Sequence, residues 1–492
     1  MTSTERPGAT RWRRPGWRIG LLAILLLAWI ASGTWHSVKP LPEGLTFSGP
    51  ERGAGVIEYL ADDTWVDADG ERRTDQAIFD RKLELIEQAE RLIVADMFLF
   101  NEFAGDPDGA NLRPLANELT DALIERRRSV PGLEVVFITD PINTLYGSLV
   151  SPHLEAMRDA GIEVVVTDLH PLRDSNPAWS GLWRLCCRWL GNSSSNGWVT
   201  NPVGDEPITL RGWKRLANFK ANHRKTLIVD DGEDWKGLVT SANPHDASSA
   251  HSNQAVVFSG PAALDLLESE RAIAAFSRPE ALWNRPERPN HNTDSPGDMQ
   301  VQVLTESAIR DAVIELLDAS GTGDEVELSM FYLSHRGIVE ALMSAVGRGA
   351  SVRALLDPNE HAFGRRKNGV PNRPVAAELV KSGVAVRWCH TTGEQCHDKQ
   401  TLVRFADGRA ELIVGTANYT RRNLDDLNPE SAARLYGVQT EAVFTEAGER
   451  FDRRWHNRDG RSYSLSYTEY ADDSRLRYWQ YRIMEATGLS TF

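Results

Sequence analysis

A histidine and a lysine two residues apart occur twice in this chain, as His223-Arg224-Lys225 and His397-Asp398-Lys399. Each pair is followed by an apolar run, a turn of small residues and an asparagine, Asn243 in the first copy and Asn418 in the second. An imidazole can attack or protonate near neutral pH, and a lysine is a compact charge suited to phosphate. Displacement at a phosphodiester needs one neutral imidazole to attack phosphorus and one imidazolium to protonate the leaving oxygen. With an ordinary histidine pKa of about 6.5, modest differences in surroundings hold one ring in each state. Lys225 and Lys399 would neutralise the non-bridging oxygens, and the amides of Asn243 and Asn418 would donate to them. Capture on histidine divides the reaction, so that water or another alcohol can complete it. Such chemistry calls for no metal and no cofactor. Two sets in one chain imply one site built from two halves, and hence a monomer.

The pattern resembles the phospholipase D superfamily, whose signature is H-x-K-x4-D followed by a small-residue turn and Asn. The first copy matches at His223, Lys225, Asp230 and Asn243, and the second at His397, Lys399 and Asn418. The resemblance implies that Asp230 orients an imidazole, that His223 is the nucleophile and that His397 is the general acid. The second copy departs at the acidic position, where Arg404 stands. The tyrosyl-DNA phosphodiesterase branch of the superfamily also lacks these acids. Glu430 resembles a downstream glutamate of some members and is a candidate orienting residue.

Those residues need elements to carry them, and the elements also repeat. Segment 89–100 pairs with 324–333, each an apolar strand reaching Met-Phe, and helical stretches follow at 113–128 and 337–347. Strand 135–143 then matches 352–359, aligning Asp140-Pro141 with Asp357-Pro358, and a helix plus strand at 154–170 matches 376–390. Continuous β-branched runs alternating with amphipathic helices predict α/β lobes whose sheets are covered on both faces. The expected fold is therefore α/β, two duplicated phospholipase D-like lobes related by a pseudo-twofold as an α/β/α sandwich. The first lobe spans 62–284, a linker 285–297, and the second lobe with a C-terminal helical tail 298–492.

Comparison of the halves exposes an insertion at 171–219. His390 precedes His397 by seven residues, whereas its counterpart His170 precedes His223 by fifty-three. Within the insertion Trp179, Trp183 and Trp189 recur at helical spacing. A tryptophan-rich face edged by Arg184 and Arg188 fits docking at a membrane interface, and equally a helix that buries its indoles in the core. The N-terminus points to a membrane. A basic tail, 1–18, with Arg11, Arg13, Arg14 and Arg18, precedes the apolar segment 19–38, close to the ~20 residues a bilayer requires. Arginines on that side place the tail in the cytoplasm and the catalytic body on the periplasmic side of a single-pass cell-membrane protein. A cleaved signal ending near Ala31-Ser32-Gly33 is the other reading; Trp29 and Trp35, suited to an interfacial belt, favour the retained anchor.

A net charge of −14 argues against nucleic acid as partner. Local basic groups, Arg211, Lys214, Arg215, Lys220 and Arg224 in one cluster and Arg365, Arg366, Lys367 and Arg373 in another, lie on the approach to the expected phosphate site. Adjacent Cys186 and Cys187 are not expected to pair, whereas Cys389 and Cys396 can bridge outside the cytoplasm. The sequence thus points to an anchored phosphodiesterase or phosphatidyltransferase acting on anionic phospholipid, closest by resemblance to the phospholipase D and cardiolipin synthase-like branches. An extracytoplasmic nuclease of the same superfamily and a catalytically silent lipid-binding protein are the alternatives.

Overall fold

The computed structural model describes residues 16–102, 112–192, 197–202, 204, 206–232, 234–284, 286, 299–362, 365–490 and 492. Most of the basic tail and, apart from one proline, the linker 285–297 lie outside the described residues.

Two mixed sheets form the body. In the first lobe the strands run in the order Arg72–Asp75, Ile57–Val66, Asn253–Ser259, Trp235–Thr240, Lys225–Asp230, Leu92–Met97, Glu134–Thr139, Glu163–Val166. The second lobe repeats seven of these positions as Gln300–Thr305, Ser431–Val438, Arg409–Gly415, Lys399–Arg404, Glu325–Met330, Ser351–Leu356 and Ala385–Cys389. The pairing senses repeat as well: Leu92–Met97 is parallel to Glu134–Thr139 and antiparallel to the motif strand, as Glu325–Met330 is to its own neighbours. The duplication expected from sequence is therefore a duplication of topology. Arg52–Gly53, ahead of the first lobe, crosses over to pair with the second sheet.

Burial follows the sequence pattern. Every residue of Lys225–Asp230 and of Leu92–Met97 is buried, as continuous apolar runs covered on both faces require. Helices Ile78–Gln88, Leu115–Ser129 and Pro152–Asp159 cover the outer face of the first sheet, contributing Leu85, Leu119 and Met157 to its core. Ser307–Ala319, Arg336–Gly347, Asn372–Lys381 and Arg475–Thr487 do the same for the second. A third core draws on both sheets, with Val239, Phe258, Leu412 and Val414 meeting Leu266 of Pro261–Ser277 and Phe444 of Ala442–His456. The lobes thus share one apolar interface, and the two motif strands are held rigidly across it.

Gly16–Val38 is a single helix whose apolar side chains face outward, Leu22 at 67% and Leu27 at 65% exposure. Its length and composition suffice to cross a membrane. The insertion differs from the one-faced helix expected. It is an α-helix, Pro177–Leu182, continued by a π turn, Trp183–Cys187. Trp183 points inward, 4% exposed against the ring of His170, while Trp179 is half-buried with its indole N–H on the Lys214 carbonyl. Of the three tryptophans only Trp189 is exposed. Both cysteine pairs are bridged, Cys389–Cys396 as anticipated and the adjacent Cys186–Cys187 contrary to expectation.

Candidate active site

Each motif histidine stands just ahead of its strand, and its backbone is fixed from two directions. Buried Asp140 accepts from the amide of Asn222, the residue before His223, at 2.7 Å. Asp357 accepts from the amide of Cys396, the residue before His397, at 2.8 Å. These are the two repeated Asp-Pro positions, and burial raises both carboxyls to about 7. The second constraint comes from the opposite lobe. The His223 amide donates to the Pro429 carbonyl and the His397 amide to the Ser252 carbonyl, at 2.9 and 2.8 Å. The lobes therefore grip one another at the motifs.

The imidazoles are likewise held in trans. Nδ1 of His223 lies 2.8 Å from the carboxylate of Glu430, which is fully buried and also accepts from Thr416 Oγ1 and the Asn423 amide. Nδ1 of His397 lies 3.2 Å from the amide oxygen of Asn253, which accepts in addition from Ser241 Oγ at 3.0 Å. Glu430 and Asn253 stand at equivalent positions, each two residues before the alanine paired with the end of the neighbouring strand, Ala432 on Gly415 and Ala255 on Thr240. The pseudo-twofold is broken there by one charge: a carboxylate backs His223 and a neutral amide backs His397. Glu430 was a candidate on resemblance. Asn253 carried no signal by itself and emerges only when the two halves are superimposed strand by strand.

Lys225 and Lys399 repeat one another atom for atom. Their ammonium groups donate to the carbonyls of His223 and His397, at 2.7 and 2.8 Å, and lie over the rings of Phe98 and Phe331. The same rings pack on the two imidazoles, at 4.7 and 5.1 Å between centroids. Both histidines, Asn243 and Asn418 line one cavity of about 330 Å³. The Asn418 amide oxygen is buried without a partner. Much of the remaining wall is apolar, including Ile142, Leu216, Phe219 and Phe492.

Crowding four basic groups in a buried space disfavours their charge. Burial lowers His223 to about 4 against the pull of Glu430, with Lys225 and Lys399 lowering it further. His397 is pushed well below its ordinary value by burial and by Lys399. Lys225 falls to about 7 and Lys399 well below the usual lysine range, chiefly through burial. An anion among the four would oppose every one of these shifts.

Two expectations need correction. Asp230 does not orient an imidazole: it sits at the far end of the motif strand, where it accepts from Arg91 at 2.5 Å and from the Gly232 amide. Seven residues of extended chain, about 20 Å, separate it from His223. Arg404 occupies the equivalent place in the second lobe and binds Glu325, its cross-strand partner, and Glu327. Both lobes thus place a structural ion pair at this end of the motif strand, and Arg404 is not among the residues that line the cavity. The first basic cluster is also largely spoken for. Arg224 is buried against Glu270 and Glu306, Lys220 pairs with Asp174, and Lys214 and Arg211 donate to backbone carbonyls. In the second, Arg366 pairs with Glu360 and Arg373 stacks on Tyr470, while Lys367 lines the cavity.

Comparison with known proteins agrees with this geometry. A family profile described as cardiolipin synthase, PLD-like domain, matches residues 313–455. No curated protein matches the chain significantly. Among solved structures, phosphatidylserine synthase of Haemophilus influenzae Rd KW20 superimposes with a TM-score of 0.52 at 11% identity, over 94% of this chain and 98% of that one, so the fold is common to both. Nuc of Salmonella typhimurium, described as a phospholipase D family member, aligns at 21% identity over 32% of this chain and 95% of its own, with a TM-score of 0.26. Residues 313–455 thus carry a PLD-like domain, and the duplicated α/β fold with its two His-x-Lys strands across one cavity extends the resemblance to the phospholipase D superfamily over both lobes.

Proposed function

We propose that this protein is a membrane-anchored phosphodiesterase or phosphatidyltransferase that acts on anionic phospholipids through a phosphohistidine. The observation that carries this reading is the cavity itself, lined by two trans-braced imidazoles, two asparagines and many apolar side chains, with the buried motif lysines bonded to the histidine carbonyls.

The charge difference between the two braces supports distinct roles for the two histidines. With its Nδ1 proton donated to Glu430, His223 presents Nε2 as the nucleophile, and the carboxylate stabilises the positive charge that grows on the ring as the N–P bond forms. His397, held by a neutral amide, keeps the more labile proton and delivers it to the leaving alcohol oxygen. It then takes a proton from water or an acceptor alcohol, whose oxygen attacks phosphorus and releases His223. Lys225, Lys399 and the two asparagines hold the non-bridging oxygens throughout. The phosphodiester also charges the site: its negative charge raises the depressed His397 into the range where it is protonated near neutral pH. In this reading Gly16–Val38 is the anchor. Lipid mass spectrometry after incubation of the purified protein with mixed anionic phospholipids, with and without glycerol, tests the proposal. Phosphatidic acid or a transphosphatidylation product supports it, and an unchanged lipid mixture refutes it.

A further inference from the structure

The insertion has two faces, and the function above uses only one. Pro202, Leu216 and Phe219 line the catalytic cavity. Leu182, Leu185, Trp189, Leu190, Trp198 and Trp213 stand in solvent, 40% to 70% exposed. They lie in one segment, and the segment is fastened to the N-terminal helix. The Trp29 indole N–H donates to the Ala178 carbonyl at 2.7 Å, and the Asp174 amide donates to the His36 carbonyl at 2.8 Å. Between these bonds the backbones touch at two glycines. A Cβ on Gly33 would meet the Pro177 carbonyl at 2.8 Å, and one on Gly181 would meet the Gly33 nitrogen at 2.8 Å. Lys39 and Arg173 extend the joint, Lys39 donating to the His170 carbonyl and Arg173 to the Lys39 carbonyl.

The contact fixes a depth. It involves helix positions 29 to 36 of an element ending at Val38, hence its last turns, roughly 10–15 Å of axial length at 1.5 Å per residue. A helix of this length spans a hydrocarbon core of about 30 Å with little to spare. Anything packed on its last turns must therefore lie in the headgroup and upper acyl region of that leaflet. Tryptophan and leucine side chains facing outward there meet lipid, the setting in which indoles are favoured.

We infer that the exposed face of the insertion is a bilayer-docking surface, embedded in the leaflet through which the N-terminal helix exits. The inference rests on the anchor reading above. It replaces the sequence-derived tryptophan set: Trp183 packs inward, and the docking side chains are Leu182, Leu185, Trp189, Leu190, Trp198 and Trp213. Because the same segment lines the cavity, a lipid passes from leaflet to phosphate site along the insertion without exposing its acyl chains to water.

Two measurements on the full-length protein in phosphatidylglycerol/phosphatidylethanolamine vesicles test this. The first compares tryptophan quenching by brominated phospholipid in wild type and in Trp189→Phe/Trp198→Phe. Docking predicts that the quenchable intensity falls in the variant by the share those two indoles contribute. Equal quenchable intensity in both overturns the inference, whatever the enzyme's substrate proves to be. The second uses Leu185→Ser/Trp189→Ser/Trp198→Ser, with thermal unfolding as a check on folding. Turnover of vesicle lipid is expected to fall at least tenfold while turnover of bis(p-nitrophenyl) phosphate stays unchanged. Equal turnover of vesicle lipid in variant and wild type overturns the delivery role. A wild type inactive on both substrates instead refutes the proposed function and leaves the quenching result to decide docking.

Discussion

Glu430→Gln isolates the charge on which the assignment of roles depends. Glu430 is fully buried, and its carboxylate lies 2.8 Å from Nδ1 of His223. A full unit charge on the ring, at an effective dielectric of about 20, would feel roughly 6 kcal/mol from that carboxylate as an upper bound. The ring carries only part of its final charge in the transition state, and a glutamine carbonyl still accepts the Nδ1 proton. The difference between a charge-assisted and a neutral hydrogen bond is then about 1–1.5 kcal/mol, or roughly 5- to 13-fold in kcat. KM should change little, because the lysines and asparagines that hold the phosphate are untouched. The pH profile adds a sign. Removal of the carboxylate lowers the His223 pKa further, so the acidic limb of kcat/KM moves to lower pH. Steady-state kinetics on bis(p-nitrophenyl) phosphate between pH 4 and 9, with thermal unfolding as a control, read both effects. A kcat within threefold of wild type, or an acidic limb displaced upward, would falsify the view that Glu430 supports the nucleophile.

Three further predictions follow from the geometry. Asn253→Asp places a carboxylate against His397 and favours its imidazolium, so the basic limb of the profile should move to higher pH; an unmoved limb would remove Asn253 from the account. Asp230→Asn should leave kcat unchanged, and Arg404→Asp should lower stability by about 2 kcal/mol with no gain in activity, since it sets a third carboxylate beside Glu325 and the buried Glu327 and leaves Arg353 alone to pair with Glu327; a rise in activity would show that the second motif is defective at this position. Binding of a phosphodiester monoanion such as dimethyl phosphate should weaken as pH rises. Lys225, at about 7 in the free site, is protonated on anion binding, so affinity is expected to drop by up to tenfold per pH unit above 7, approaching the full slope as the free lysine deprotonates; titration calorimetry showing a flat response from pH 7 to 9 would contradict the charging mechanism.

The parts of the site legible in sequence were those whose partners are near in the chain or repeated in it. The His-x-Lys pairs, the two asparagines and the paired Asp-Pro positions could be read because each occurs twice in matching strand context. Of the braces, Glu430, 207 residues from His223, was reached only through the resemblance, and Asn253, 144 residues from His397, was not reached at all. The misreading of Asp230 has a plain cause: nearness in a motif is not nearness in space when the intervening residues form an extended strand. For the insertion the sequence left docking and core burial open; Trp183 took the core, and the π turn that begins there shifts the register of Trp189, which no spacing rule anticipates. Arg404 looked like a lost catalytic acid and proved to belong to an ion pair at the far end of its strand, where the first lobe has the Arg91–Asp230 pair.

The central claim is that His223 takes the phosphoryl group and His397 moves the protons. An activated diester such as bis(p-nitrophenyl) phosphate needs little protonation of its leaving group, so His397→Ala should still complete the first step. It should stall at the second, because no base remains to activate water. Rapid alkaline quench of that variant followed by peptide mass spectrometry should show an alkali-stable, acid-labile phosphoryl adduct on His223, with a stoichiometric burst of p-nitrophenol and no adduct in His223→Ala. An adduct on His397 in the His223→Ala protein, or a burst without any histidine adduct, would contradict the account.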